Sequence, residues 1–361
     1  ANDKVAIGDN VVYIINVTLP NGKYNNITIS DVLPDDLTYV NTTVAGNIIT
    51  PTIDGNTLTF TFIDIDADDY DGNLVLYVTC VVDDVNANVA GVTKTNVATF
   101  VSNNTFINED AVDVTIVEPV LDVVIGFNDT DVQGGTNVTL IIDVSNNGNG
   151  NACNVSVNYN LSDLINNYIK DKDLANVIVT IDGIKYTVED LDAAINLGTI
   201  SPNTTKHVQI NFVVKDDVMI GSSYNTGDIT IIGYSTPTIT NNTRNYTKKD
   251  SAGFATDLPT MEKVVYNNNV AIGEIVNYYI NIILPKGNYS NITVIDELPK
   301  GILFKDAKIN GVPAQFSTSL DDSKITFEFI NFSSYDYNNR MVIDVRTMVE
   351  NINSNVDGVI L

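Results

Sequence analysis

Apolar and polar residues alternate along most of this chain in the short runs that are typical of β-strands. Segments such as VVYIINVTL, TLTFTFI and LVLYVTCVV are rich in valine, isoleucine, threonine, tyrosine and phenylalanine. Clusters of asparagine, glycine, aspartate and proline separate these segments at intervals of roughly 8–12 residues. Short strands at this spacing predict an all-β chain made of two-sheet Greek-key sandwiches.

The two ends of the chain carry nearly the same sequence. Residues 5–37 (VAIGDNVVYIINVTLPNGKYNNITISDVLPDDL) align without a gap with residues 270–302 (VAIGEIVNYYINIILPKGNYSNITVIDELPKGI), and more than half of the positions are identical. A second block, residues 62–92, aligns with residues 329–359. Residues 132–157 share only the order of elements with the first module. Self-similarity over such a long period predicts an array of like modules with a divergent member in the middle.

Two proline-containing stretches mark the module boundaries. Pro119 and Pro259 cannot donate to a sheet ladder, so each suits a linker between strands. The boundaries predict modules at residues 1–118, 119–258 and 259–361. Because the linkers are short, we expect a semi-rigid rod of sandwiches.

A helical pattern occurs only in the middle module. Residues 161–177 have an amphipathic period, with Ser162 as a candidate cap, and residues 187–198 form a second candidate helix that Gly198 ends. We interpret both as an insertion at about 161–198 that decorates the sandwich. The apolar face of the first helix comprises Leu161, Leu164, Ile165 and Ile169.

The two end modules are incomplete in complementary ways. The third has PTMEKVVYNNN before its VAIG motif, whereas the first has only ANDK. The first continues with TNVATFVSNN after AGVTK, whereas the third stops at DGVIL. The first module is therefore expected to lack a first strand, and the third its last strands. One interpretation is a window from a longer tandem array, and another is that neighbouring subunits supply the strands.

In the first module the motifs follow in the order of a glycine turn, a tyrosine-containing strand, a D-x-LP turn and a late N-x-A strand. This order resembles the conserved-repeat Ig-like modules known as DUF11. The resemblance implies an Ig-like fold and a place in large secreted, cell-wall and adhesin-like proteins of bacteria and methanogenic archaea, with a spacer or adhesive role at the cell surface. The middle module lacks the D-x-LP motif and resembles the family in element order alone. The motif residues are Gly8, Tyr13, Asp31, Leu33, Pro34, Asn96 and Ala98, and in the third module Gly273, Tyr278, Asp296, Leu298 and Pro299.

Composition narrows the function classes. The formal net charge of −26 repels phosphate backbones, which argues against nucleic-acid binding. No apolar run approaches the roughly 18 residues that a membrane-spanning helix needs. Cys80 and Cys153 lie in different modules, so a disulfide within one module is not expected, and Cys80 is predicted to be a small buried hydrophobe.

The run FIDIDADDYDGN is a candidate calcium site. It places Asp64, Asp66 and Asp68 at alternate positions, followed by Asp71, and hard oxygen ligands suit Ca²⁺. The equivalent run of the third module keeps only Asp336. An acidic, solvated turn is the alternative interpretation.

Four residues are candidates for an internal isopeptide crosslink between a lysine and an asparagine, assisted by a buried carboxylate. The third module offers Lys263 and Asp296, and the first offers Asp31 and Asn96. Because of the truncated ends, no single module shows all three residues at the positions that the crosslink requires. The alternative is that both aspartates simply accept hydrogen bonds in the turn before Leu-Pro.

The chain is rich in sequons for N-glycosylation, which predicts outward-facing asparagines if a glycosylating cell secretes it. The alternative is that an asparagine- and threonine-rich surface produces these triplets by composition. The candidate sites are Asn16, Asn26, Asn41, Asn103, Asn128, Asn137, Asn154, Asn160, Asn203, Asn241, Asn245, Asn288, Asn291 and Asn331.

The sequence offers few residues or motifs that would support an enzymatic function. His207 is the sole histidine and lies in an apparent strand, so we expect an edge-strand residue rather than a general base. Phosphate-binding loops and Cys/His metal spacings are absent from the sequence, and no cofactor is predicted beyond the candidate Ca²⁺.

Three functional classes remain. The first is a non-enzymatic, extracellular adhesin-like stalk or cell-wall array, and the second is a subunit of a filament or sheath assembled by strand complementation. The third is the non-catalytic region of a secreted enzyme. The expected partners are neighbouring repeats or subunits of the same protein, and glycans or proteins of host or cell surfaces.

Overall fold

A computed structural model describes residues 3–103, 105–170, 177–186, 194–315, 317–318, 323–356, 358 and 360. The regular structure in these residues is almost entirely β, arranged in sandwiches, which confirms the predicted fold class. Among these residues, no helix is long and apolar enough to cross a bilayer.

The first sandwich contains residues 4–117. Its strands are β1 (Lys4–Ala6), β2 (Asn10–Thr18), β3 (Lys23–Val32), β4 (Leu37–Val44), β5 (Asn47–Ile49), β6 (Thr52–Asp54), β7 (Thr57–Asp66), β8 (Asn73–Val82), β9 (Thr93–Ser102) and β10 (Thr105–Val117). One sheet has the order β1-β10-β9-β3-β7-β6, and the other has the order β2-β8-β4-β5. A 3₁₀ helix at Ala67–Tyr70 connects β7 to β8.

Alternation along the strands builds the core between these sheets. In β8 every second residue from Leu74 to Val82 is buried, while the residues between them are partly or fully exposed. A strand with period two buries one face only, so the opposite face remains available to solvent.

The middle sandwich contains residues 121–256. Its strands are β11 (Leu121–Phe127), β12 (Asp131–Val132), β13 (Asn137–Asn146), β14 (Ala152–Asn158), β15 (Ile178–Ile181), β16 (Ile184–Tyr186), β17 (Ile195–Ile200), β18 (Thr204–Val213), β19 (Ser223–Asn225), β20 (Ile229–Tyr234), β21 (Asn245–Asp250) and β22 (Gly253–Thr256). Its sheets have the orders β11-β13-β18-β15-β16, β17-β14-β20-β21 and β12-β22-β19.

The predicted helical insertion is confirmed in part. Helix α1 (Ser162–Asn167) forms, and the stripe that includes Leu164 packs into the core. Ser162 is the first helical residue rather than the cap; its backbone N–H donates to Asn160 Oδ1. The second candidate helix is wrong at its end, because residues 195–200 form β17, which pairs with β14. The rest of that prediction, residues 187–193, lies outside the described residues.

The third sandwich contains residues 260–349. Its strands are β23 (Thr260–Val265), β24 (Ile275–Ile283), β25 (Asn288–Glu297), β26 (Ile302–Ile309), β27 (Val312–Pro313), β28 (Ser317–Thr318), β29 (Lys324–Ser333) and β30 (Arg340–Val349). The sheets have the orders β23-β24-β30-β26-β27 and β25-β29-β28, and a 3₁₀ helix spans Ser334–Tyr337.

The first and third sandwiches agree down to the register of their strands. Asp31 lies opposite Leu58 between β3 and β7, and Asp296 lies opposite Ile325 at the same place between β25 and β29. A bulge interrupts β4 after Tyr39, and the matching bulge follows Phe304 in β26. Corresponding positions can therefore be compared directly.

Two edge strands of the end sandwiches have counterparts that pair on both sides. β2 pairs with β8 alone, whereas its counterpart β24 pairs with both β30 and β23. β25 pairs with β29 alone, whereas its counterpart β3 pairs with both β7 and β9. Each end sandwich thus displays the strand that the other lacks.

Arg244 joins the first sandwich to the middle one. Its guanidinium donates to Asp84 Oδ1 at 2.6 Å, to Glu118 Oε1 at 2.9 Å and to two backbone carbonyls of residues 85 and 88. Glu118, in the linker, also accepts from the Tyr246 hydroxyl at 2.9 Å. A fork of donors held on both sides of a three-residue linker fixes the relative orientation of the two sandwiches.

Backbone hydrogen bonds join the middle sandwich to the third. The Ile220 N–H donates to the Asn288 carbonyl at 2.7 Å, and the Asn288 N–H donates to the Val218 carbonyl at 2.7 Å. The Gly134 N–H donates to the Lys286 carbonyl at 2.7 Å. The buried apolar residues of both sandwiches form one contiguous cluster.

Alanine substitutions at two equivalent glycines, Gly287 and Gly22, test the packing at this second junction. Gly287 and Gly22 have similar backbone angles, with φ of 154° and 145°. A Cβ on Gly287 would lie 2.5 Å from the Val218 carbonyl oxygen, whereas one on Gly22 would meet nothing within 4 Å. We expect Gly287→Ala to lower the free energy of unfolding in urea by about 2 kcal/mol more than Gly22→Ala, because only Gly287→Ala overpacks a junction. Equal losses would contradict the packing described here.

Candidate crosslinking site

A buried polar cluster lies beneath β2 in the first sandwich. Asp31 on β3 is fully buried, and Tyr13 on β2 and Asn96 on β9 are almost fully buried. The Tyr13 hydroxyl, both carboxylate oxygens of Asp31 and Asn96 Nδ2 make no hydrogen bond of standard geometry. Buried polar groups normally have partners, so this cluster lacks one.

Burial controls the protonation of the cluster. It raises the pKa of Asp31 to about 6, an effect that the nearby Asn96 amide partly offsets. Burial, Asp31 and Asp83 raise the pKa of Cys80 to about 12. Burial, followed by Cys80 and Asp31, also raises the pKa of the Tyr13 hydroxyl. The surroundings therefore favour the neutral form of each group, because desolvation disfavours charge.

The third sandwich has a lysine at the corresponding place. Lys263 on β23 forms a short ion pair with Asp296 Oδ1, and its ammonium lies 4.6 Å from the centre of the Tyr278 ring. The Asp296 side chain is 2% exposed and the Lys263 side chain 34% exposed. Asp296 Oδ2 has no partner. The lysine thus contacts one oxygen of the carboxylate, and the other oxygen is buried without a partner.

These placements agree with the pairs that the sequence proposed. Lys263 lies beside Asp296, and Asn96 lies near Asp31, but these two pairs belong to different sandwiches. Sequence reasoning did not single out Tyr13 and Tyr278 as site residues, although their identical positions in both copies were a usable signal. The crosslink itself stays a prediction.

The candidate calcium ligands do not form a cluster. Among the described residues, no group of three or more aspartate, glutamate, histidine or cysteine side chains is placed to hold a metal ion. Asp66 instead caps the 3₁₀ helix, because its Oδ1 accepts from the Asp68 N–H at 3.2 Å. The geometry therefore favours a structural turn, in which Asp64 and Asp71 have left-handed backbone angles.

The sequon asparagines all reach the surface. Asn26, Asn41 and Asn288 are half-buried, and the other candidate asparagines are exposed. Their accessibility suits glycosylation, which stays a prediction.

The remaining sequence candidates have structural roles. His207 is not an edge residue, because β18 pairs on both sides, with β13 and with β15. Its exposed ring pairs across the strands with Asp143 at 2.8 Å. Cys80 and Cys153 are both free and buried, as predicted for Cys80.

Comparison with known proteins gives fold likeness only. No family model matches the chain, so the resemblance to DUF11 modules stays a prediction, and no curated protein matches. The C-terminal domain of the AgI/II polypeptide BspA from Streptococcus agalactiae is 12% identical, with a TM-score of 0.32 over 71% of this chain and 95% of that one. A 35 kDa C-terminal fragment of the major pilin GBS80 of the same species is 14% identical, with a TM-score of 0.26 over 68% of this chain and 87% of that one. A membrane-anchored protein from Corynebacterium diphtheriae is 9% identical, with a TM-score of 0.19 over 96% and 82%. At such TM-scores these likenesses carry no argument about function.

The pKa of Asp31 predicts a pH-dependent stability. Between the ordinary value of 3.8 and about 6, the folded chain holds this proton more tightly than the unfolded chain. The stability due to Asp31 is therefore greatest below pH ~4, decreases as the pH rises to ~6, and stays lower by about 3 kcal/mol above that.

The neutral variant Asp31→Asn isolates this effect. Urea unfolding of both proteins at pH 4 and pH 7 should show that the variant gains stability relative to the parent at the higher pH. Tyr13 and Cys80 stay protonated across this range and do not contribute. Parallel profiles for the two proteins would mean that Asp31 is not held in this buried state.

Proposed function

We propose that this chain is a non-enzymatic structural protein of the extracellular cell surface, an adhesin-like stalk or part of a cell-wall repeat array. Its modules are of the DUF11 type, with boundaries near residues 118 and 258. Its partners are neighbouring repeats, and glycans or proteins of other surfaces. The locked junctions between consecutive sandwiches carry this proposal.

The junctions support the proposed spacer role because their contacts fix the orientation of each sandwich relative to the next. Arg244 spans the first junction with charge-assisted hydrogen bonds, and paired backbone bonds around Asn288 span the second. Domains connected only by flexible linkers reorient freely, whereas buried contacts at each junction oppose bending. A stiff series of sandwiches holds an attached binding segment at a distance from the cell surface.

A filament subunit is the second candidate function. The free edges of β2 and β25 favour it, because an unpaired strand is a template for a strand from another chain. In this case assembly by strand complementation replaces simple tandem stacking.

Surface display can be tested on intact cells of the source organism. Antibodies against the chain should label unpermeabilised cells, and brief protease treatment of those cells should remove the label. An antibody against a cytoplasmic protein serves as the control and should label only permeabilised cells. Labelling of the chain that also requires permeabilisation would contradict the proposed location.

Substitution of Arg244 tests the stiffness of the first junction. Arg244→Ala removes hydrogen bonds to a 13% exposed Glu118 side chain, and the loss should weaken the junction by about 2 kcal/mol. Small-angle X-ray scattering should then show a broader range of interdomain distances than in the parent. Lys249→Ala, which removes an exposed ion pair within the middle sandwich, should leave the scattering unchanged. Identical profiles for Arg244→Ala and the parent would show that Arg244 does not keep the first junction rigid.

A further inference from the structure

A groove of about 400 Å³ follows the free edge of β2 in the first sandwich. Residues 14–18 of β2 form one wall, and residues 98–100 of β9 with residues 107–112 of β10 form the other. Ile14 and Ile107 are 55% and 52% exposed along it. Apolar side chains beside an unpaired strand edge are what a sheet presents to an incoming strand.

Both walls of the groove offer free backbone groups. β2 pairs with β8 on its other side only. β10 pairs with β9, and β1 covers its outer edge only at residues 115–117. Among the described residues, no strand fills the space between these edges.

The third sandwich shows what occupies the corresponding place. There β23 runs antiparallel to β24, and Lys263 lies opposite Ile280. Ile280 corresponds to Ile15 in β2 by the alignment of the two copies, and Ile15 lines the groove. A segment of the β23 type in the groove would therefore place its lysine opposite Ile15.

The buried cluster beneath the groove lacks the group that such a lysine would supply. In the third sandwich the ammonium contacts Asp296 and the Tyr278 ring. In the first sandwich the corresponding groups are buried without a cation: the Tyr13 hydroxyl has no hydrogen-bond partner, and Asp31 has only the Asn96 amide beside it. Asn96, which has no counterpart among the described residues of the third sandwich, lies beside that cluster with its Nδ2 unpaired.

We propose that this groove binds an extended partner segment of the β23 type, with a lysine opposite Ile15, and that this lysine becomes joined to Asn96 through an amide bond. The partner's chemistry is that of Thr260–Val265, an extended strand with three apolar residues, one glutamate and one lysine. The inference rests on the filament candidate and names the strand that the edge of β2 accepts; its test is separate from that of the surface location, because peptide capture and cell labelling are independent measurements.

The bond-forming step balances without an oxidant or a cofactor. The lysine ammonium first gives a proton to the Asp31 carboxylate, so that both groups become neutral in the buried site. The amine nitrogen then attacks Cγ of Asn96, while the protonated Asp31 donates a hydrogen bond to the carboxamide oxygen. The Cγ–Nδ2 bond breaks, and the nitrogen leaves with its electron pair and a proton from the attacking amine. The products are a secondary amide, one ammonia and a protonated Asp31.

A synthetic peptide of residues 259–267, PTMEKVVYN, tests the proposal with the 361-residue chain. Fluorescence polarisation should show that this peptide binds, and that a control peptide with the same composition in scrambled order does not. Intact-mass spectrometry should then show a product whose mass is the sum of the two components less one ammonia. Fragmentation should place the bond between the peptide lysine and Asn96.

Matched variants separate binding from bond formation. Asn96→Ala should still bind the peptide, because Asn96 does not line the groove, but the product should fall at least tenfold. Asp31→Asn removes the carboxylate that receives the lysine, so both binding and product should fall. A peptide with arginine in place of its lysine should bind without reacting. Unfolding curves confirm that each variant is folded.

The outcomes are decisive in each direction. Specific binding with ammonia-deficient product at Asn96 supports the whole proposal. Binding without product by the parent chain overturns the crosslink, and absence of binding overturns the assignment of the groove. Product that persists in Asn96→Ala would show that the reaction involves a different residue.

Discussion

A carboxylate enclosed between two β-sheets requires a cation or a hydrogen-bond donor, and this requirement links the two ends of the chain. Asp31 and Asp296 occupy the same register of the same module, and both are buried. Lys263 meets the requirement for Asp296, whereas Asp31 has only a nearby amide. An uncompensated buried charge is costly, so the first sandwich holds a carboxyl whose environment favours the proton. That carboxyl lies directly below the edge where a lysine-bearing strand pairs in the sister module.

The same sandwich architecture combines closed and open surfaces. At the junctions, side chains and backbone groups of consecutive sandwiches satisfy one another, as Arg244 and Asn288 do. At their free edges, β2 and β25 leave ladder groups available. The contacts at the junctions fix the relative orientation of consecutive sandwiches, and the unpaired edges can accept a strand from another segment. This combination suits a protein whose role depends on reach and attachment more than on turnover.

Much of this could be predicted from the sequence, because strands buried on one face reveal themselves by alternation, and a duplicated module reveals itself by alignment. The candidate crosslink also named Lys263 and Asp296 as a pair, and the two side chains are in contact. The helix predicted to extend to Gly198 was wrong because the end of that amphipathic segment pairs with β14, where tertiary contacts outweigh local propensity. Arg244 escaped prediction because its partners, Asp84 and Glu118, are distant along the chain, and no local pattern indicates contacts of that kind.

The order of the sandwiches has a consequence for how the chain folds. The first and third sandwiches pair their strands in the same registers, so a strand of one can enter the sheet of the other during refolding. The middle sandwich has a different strand order and keeps these two near-copies from being immediate neighbours. Exchange between like domains is a characteristic failure of repeat proteins. Dissimilarity between successive domains therefore protects the fidelity of folding, and two adjacent copies of the first sandwich would be more prone to misassembly than the natural sequence of three.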